Sequence, residues 1–78
     1  MSRDLKEKVF PLSYEKHDWD TCRQEWEGEY YSTNPAHCIC GVKIVDQYVI
    51  RNKLTRAELI VGNVCIKQFD KLLIEWAE

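Results

Sequence analysis

Three of the four cysteines in this chain are spaced for a common task. Cys38 and Cys40 stand one residue apart in His37-Cys38-Ile39-Cys40-Gly41, and 24 residues separate Cys40 from Cys65, which closes Val61-Gly62-Asn63-Val64-Cys65. Thiolates are soft ligands, and clustered cysteines with an adjacent histidine offer four donors of the kind that hold Zn2+. Gly41 lets the backbone fold round so that amide N–H groups point at the sulfurs and stabilise their charge. Cys65, in the first turn of an expected helix, is pushed toward thiolate by the positive end of the helix dipole. The expected ligands are Cys38, Cys40, Cys65 and His37, with Cys22 as the alternative fourth donor. Cys22 is spaced with Trp19 and Trp26 on an apolar helix face, where a free cysteine acts as a small hydrophobe. His17 falls nearly opposite Cys22 and is the weakest candidate.

Size makes such a staple necessary. A chain of 78 residues is read as one domain over 1–78. A core of this size rarely supplies more than about 3 to 5 kcal/mol, and a structural metal is a usual supplement. Two disulfides are the competing use of four cysteines. The charged start, Met-Ser-Arg-Asp-Leu-Lys-Glu-Lys, lacks the apolar stretch of a signal peptide. The expectation is therefore a non-secreted protein in a reducing cytoplasm, with free thiols. Leu59 to Ile66, the longest apolar run, is broken by Gly62 and Asn63 and is too short to span a membrane.

The elements that must position the cysteines follow from periodicity. Pro11 prevents a helix from running through the loose, charged start and its apolar anchor, Val9 to Leu12. Ser13 is the expected N-cap of a helix from Tyr14 to about Glu27, with Trp19, Cys22 and Trp26 on one face. The alternative is an extended Gln24 to Tyr31, with Trp26 facing inward. Ser32 to Pro35 forms a turn that delivers the chain to His37. Val42–Ile50 and Glu58–Val61 are rich in β-branched residues and read as a hairpin, with Arg51–Arg56 as its loop. Tyr48 and Ile50 share its packed face, leaving Gln47, Val49 and Arg51 exposed. Asn63 is the expected N-cap of a last helix, Val64 to Ala77, in which Cys65, Phe69, Leu72, Leu73 and Trp76 recur at helical spacing. The fold class is α+β: a small zinc-stabilised domain with an N-terminal helix, a zinc knuckle, a β-hairpin and a C-terminal helix, and the order of knuckle, hairpin and helix resembles a treble-clef finger.

The net charge of -2 conceals an asymmetry. Residues 1–36 carry five Lys or Arg against eight Asp or Glu, whereas Lys43 to Lys67 carries five against two. Lys43, Arg51, Lys53, Arg56 and Lys67 are the residues that would contact nucleic acid, although the strongly cationic footprint of such proteins is missing. The sequence shows no phosphate-cradling glycine loop and no nucleophile paired with a base, so an enzyme is not expected. Asp46 and Glu58 are carboxylates without a motif around them.

Cys38-Ile39-Cys40-Gly41, then Ile44, Tyr48, Ile50, Asn52 and Thr55, and finally Val61-Gly62-Asn63-Val64-Cys65-Ile66 with Phe69, resemble a zinc-binding module of small proteins from bacteriophages and large DNA viruses. Its pattern runs from a Cys-x-Cys-Gly knuckle through Ile-x-Asn-x-x-Thr to Val-Gly-x-x-Cys-Ile, and Gln24-Glu25-Trp26 resembles its upstream Glu-Trp. The resemblance implies a viral origin and zinc but no defined activity. The leading expectation is a non-enzymatic viral adaptor or inhibitor that binds a host or viral protein in the host cytoplasm, at transcription, replication or defence machinery. No membrane or small-molecule substrate is expected. A nucleic-acid-binding finger and a redox thiol protein are the alternatives.

Overall fold

The structure, a computed structural model, describes residues 4–78 and is built on a three-stranded antiparallel sheet. In chain order the strands are β1 (Trp26–Ser32), β2 (Ala36–His37), β3 (Lys43–Ile44), β4 (Gln47–Asn52) and β5 (Glu58–Val61). The sheet order is β1-β4-β5, with β2 and β3 forming a separate two-stranded pair. β4 and β5 form a hairpin in the expected place, with Tyr48 opposite Val61 and Arg51 opposite Glu58. The expected strand Val42–Ile50 divides into β3 and β4, however, and β4 runs through Arg51 to Asn52, so the loop is shorter than Arg51–Arg56. Helices α1 (Asp4–Val9), α2 (Trp19–Cys22) and α3 (Lys71–Ala77) are short, and 3-10 turns at Phe10–Leu12, Arg23–Glu25 and Cys65–Gln68 fill the spaces between elements. The α+β class, with helices around antiparallel strands and a cysteine cluster at one end, stands as expected.

Several boundaries differ from the sequence reading. The loose start lies partly outside the described residues, in 1–3, but from Asp4 the chain is helical, with Leu5 and Val9 wholly buried one turn apart. Ser13 is not an N-cap but closes the 3-10 turn Phe10–Leu12, its N–H bonded to the Phe10 carbonyl and its hydroxyl donating to the Val9 carbonyl at 2.8 Å in the interior. Asp18 caps instead, accepting from the Asp20 N–H, and the helix it starts has only four residues. The extended alternative holds beyond it: β1 begins at Trp26, which faces inward. Pairing with β4 at six of the seven residues of β1, with a bulge at Glu29, outweighs the modest helix propensity of that segment. On β4, Val49 is buried along with Ile50, so the supposedly exposed face is covered in part.

The last helix is likewise divided. The 3-10 turn at Cys65–Gln68 ends in two extended residues, Phe69 (ψ -165°) and Asp70 (ψ 153°), and Asp70 then caps α3 by accepting from the Leu72 N–H. Asn63 has no capping role, as the turn begins after Val64 without a side-chain cap. The break rephases the apolar stripe, so Leu73 is buried but Leu72 is 74% exposed.

The core joins these pieces through aromatic contacts. Phe69 meets Trp19 (5.4 Å, 62°) and Trp26 (6.5 Å, 79°), and Trp19 meets Phe10 (5.9 Å, 81°), all edge to face. Such pairs contribute about 0.5 to 1.5 kcal/mol each beyond the burial of their surface. The Trp19 indole N–H and the Arg23 guanidinium donate to the Gln68 and Phe69 carbonyls, tying the first helices to the segment just past Cys65.

The β4–β5 turn contains one strained residue. Arg56 has φ of 69°, in the left-handed region, where a side chain costs roughly 1 to 2 kcal/mol. Arg56→Gly would relieve this while adding some unfolded-state entropy. We expect a net gain of up to about 1 kcal/mol in urea unfolding, and a loss of similar size for the β-branched Arg56→Ile.

Candidate metal centre

The knuckle is the loop between β2 and β3, whose pairs are Ala36 with Ile44 and His37 with Lys43. Within it, the Cys38 N–H donates to the Val42 carbonyl (2.9 Å) and the Gly41 N–H to the Cys38 carbonyl (2.8 Å). Gly41 makes this turn at φ +98°, a conformation that L side chains rarely adopt. The knuckle is fixed to the sheet by the Ile39 N–H, which donates to Ile60 on β5 at 2.8 Å. At the end of β5, Gly62 passes so close to Ile44 that an added Cβ would lie 2.9 Å from its Cγ2. The chain then turns into the 3-10 segment, with the Ile66 N–H bonded to Gly62, and carries Cys65 to the knuckle.

These elements bring Cys38, Cys40 and Cys65 together, with all three sulfurs within 4.8 Å of one another. Cys40 and Cys65 Sγ are 3.4 Å apart. Sulfurs sharing a tetrahedral metal at about 2.3 Å each would be roughly 3.8 Å apart, so the group has the spacing to hold an ion. Burial disfavours charge on Cys40, but it receives the Val42 backbone N–H and the Cys65 and Cys38 thiols, and its pKa falls below the ordinary thiol value. Burial, followed by the hydrogen bond it donates to Cys40, pushes the Cys65 thiol well above that value. Without a cation Cys40 is favoured as thiolate over Cys65, and a bound cation would favour thiolate at each sulfur it holds.

The expected fourth donors are elsewhere. His37 is exposed at the end of β2 and is not among the donors whose ligand atoms lie within 4.8 Å of one another; it lines a cleft with Tyr30, Val49, Glu58 and Cys38. Cys22 is wholly buried, its thiol donated to Ser13 Oγ at 3.1 Å and its pKa raised by burial. His17 is exposed beside α2. Among the described residues the donor group is therefore three cysteines. A cleft of about 320 Å3 adjoins them, walled by Val42, Ile44, Gly62 and Val64, with Lys43 at its edge.

The five basic residues do not converge. Lys43 and Lys67 lie at the cysteine end of the sheet, and Lys53 and Arg56 at the far turn of the β4–β5 hairpin. Arg51 stands 3.8 Å from Glu29 and opposite Glu58.

One pair of residues escaped the sequence reading. The buried Glu25 carboxylate accepts from the Tyr14 and Glu15 N–H groups and from Asn52 Nδ2, each at 2.9 Å. Asn52, fully buried, accepts from the Leu54 and Thr55 N–H groups through Oδ1, and Thr55 Oγ1 donates to the Leu12 carbonyl at 2.7 Å. The Ile-x-Asn-x-x-Thr stretch is thus a clamp joining the hairpin turn to the N-terminal segment. Asn52 at a strand end followed by Thr55 was the available signal, since Asn commonly fixes its own turn through local backbone hydrogen bonds.

No helix among the described residues is long and apolar enough to cross a membrane. No known protein family, curated protein or solved structure matches the chain.

Proposed function

We propose that this protein is a zinc-stapled binding module: a non-enzymatic adaptor, of the small viral type its motifs resemble, that acts by binding a host or viral protein. The convergence of Cys38, Cys40 and Cys65 from two separate parts of the chain carries this reading. Zinc is the choice because the donors are all sulfur. When bound, it would supply charge compensation for the three thiolates and a covalent-strength link between knuckle and helix start. The chain's own residues do the rest: Gly41 turns the knuckle, Val42 donates to Cys40, and Ile39 holds the loop to β5.

The dispersal of the basic residues favours a protein partner over nucleic acid. A phosphate-binding surface needs its cations on one face, and here Arg51 is engaged by carboxylates while the others occupy opposite ends. Native mass spectrometry should find one zinc per chain, lost on chelation. A folded chain purified without metal would overturn the staple. Affinity capture from host lysate should return a specific protein with the zinc-loaded chain and none with Cys65→Ser, and no specific capture by either would count against the adaptor.

A further inference from the structure

The sheet has one finished edge and one open edge. β5 is covered where Ile39 bonds to Ile60, but among the described residues no backbone hydrogen bond reaches the outer edge of β1. The pairing of β1 with β4 shifts register at a bulge between Gly28 and Tyr30, leaving Tyr30 to Ser32 as the regular stretch beyond it. An unpaired strand edge is a template for another strand, and proteins that do not use it usually protect it. Beside that stretch of β1 lies a cleft of about 480 Å3 lined by Tyr30, Tyr31, Tyr48 and Trp76, with Glu78 at its margin. Tyr31 and Tyr48 are cross-strand partners with ring centroids 4.9 Å apart, and Trp76 meets Tyr48 at 6.0 Å and 73°. Trp76 rests directly on Gly28, where any Cβ would collide with its ring, so the absence of a side chain at Gly28 creates the seat. These rings are not core: Tyr30, Tyr31 and Trp76 are 55%, 49% and 40% exposed.

The charged groups at the cleft itself are acidic. Tyr31 donates its hydroxyl to Asp46 at 2.6 Å, which raises its pKa to about 12 and leaves a carboxylate at the rim. Glu78 stands at the margin and no Lys or Arg lines the aromatic cleft, while Glu27 and Glu29 go with the other face of the sheet, where Arg51 pairs with Glu27 across the strands and stands 3.8 Å from Glu29. Aromatic faces next to carboxylates attract cations. A second copy of this chain is the poorer occupant, because antiparallel β1–β1 pairing centred on Gly28 would set Glu27 against Glu29 and a cleft without Lys or Arg against another of its kind.

We propose that the open edge of β1 and the adjoining aromatic cleft dock an extended basic segment of a partner protein, with an arginine or lysine side chain seated against Tyr31, Tyr48 and Trp76. This names the partner chemistry of the protein-binding reading and so rests on it, but it does not depend on the identity of the metal.

The test is titration of the zinc-loaded, isotope-labelled protein with a short blocked peptide of alternating Arg and Val, and with its Glu-for-Arg counterpart, followed by amide and indole NMR shifts. The Arg peptide should shift β1 amides and the Trp76 indole, and the Glu peptide should not. Tyr31→Leu and Asp46→Asn, both at partly exposed sites, should each weaken binding about two- to fivefold while leaving the remaining spectrum folded. Equal shifts from both peptides, or unchanged affinity in both variants, overturns the proposal. So does shifting of the same resonances by protein concentration alone, which would mean self-pairing, or by oligo-dT in place of the Arg peptide. If lysate capture yields a partner whose binding ignores Tyr31→Leu, this docking site fails while the adaptor reading stands. If capture yields nothing but the Arg peptide binds as described, the reverse holds.

Discussion

Removing the metal is expected to unfold this protein. Structural zinc in small finger peptides contributes roughly 10 to 16 kcal/mol of apparent binding free energy at neutral pH, against about 3 to 5 kcal/mol from a core of this size. The geometry makes that energy folding energy, because Cys65 reaches Cys38 and Cys40 only when the knuckle is held to β5 and Gly62 lies against Ile44. Chelation should therefore abolish far-UV dichroism and red-shift tryptophan emission, since Trp19 and Trp26 both pack on Phe69, just beyond Cys65. Zinc should restore both signals and magnesium neither. Cys65→Ser should behave like the chelated protein. Cys22→Ser should keep one zinc and lose only about 1 to 2 kcal/mol, because its thiol meets Ser13 in the core and not the other sulfurs. His37→Ala should also keep the metal, its side chain facing the cleft with Tyr30, Val49 and Glu58. Loss of zinc from His37→Ala, or a chelated protein that stays folded, would show that the fold does not rest on this cluster as proposed.

The parts most legible in the sequence were those governed by covalent proximity or strict alternation. Cys38 and Cys40 had to share a turn, and Glu58 to Val61 had to pair with the strand before it. Longer-range competition decided the rest. Trp26 faces inward whether its segment is helix or strand, so its burial was readable while its secondary structure was not. The stripe Cys65, Phe69, Leu72, Leu73 and Trp76 fits one helix on paper. Phe69 is extended in the structure, and that single departure turns Leu72 outward and leaves Trp76 on Gly28 at the surface. His37 is the fourth donor favoured from the sequence, although its adjacency to Cys38 counts against it, and it stays outside the group of three sulfurs. The partnership of Glu25 and Asn52 joins positions 27 residues apart, and no local pattern announces it.

That partnership carries the second large effect, a reversal in how stability responds to pH. Burial opposes ionisation of Glu25, but the amide of Asn52 and the N–H groups of Tyr14 and Glu15 outweigh it, so its pKa lies below the ordinary carboxylate value. A depressed native pKa gives stability that is present above the unfolded value, near 4.5, and lost as pH falls through the native one. Asn52→Asp keeps the shape and the acceptor for Leu54 and Thr55 but replaces the donor facing Glu25 with a second carboxylate oxygen, across a contact of 2.9 Å. Two buried carboxylates at that distance cannot both ionise cheaply, so the pair should retain a proton well above pH 4.5. The native pKa of the pair is then raised, and its stability is present at low pH and lost as pH rises through that value. Relative to wild type, Asn52→Asp should cost about 3 to 5 kcal/mol at pH 7 to 8 and markedly less at pH 5. Glu25→Gln, which cannot titrate, should cost about 2 to 4 kcal/mol with little change over the same range. Urea unfolding from pH 5 to 8 under saturating zinc reads these differences, because thiol protonation then affects variant and parent alike. A pH-independent penalty for Asn52→Asp would mean that Glu25 and residue 52 are not in direct contact in the folded protein.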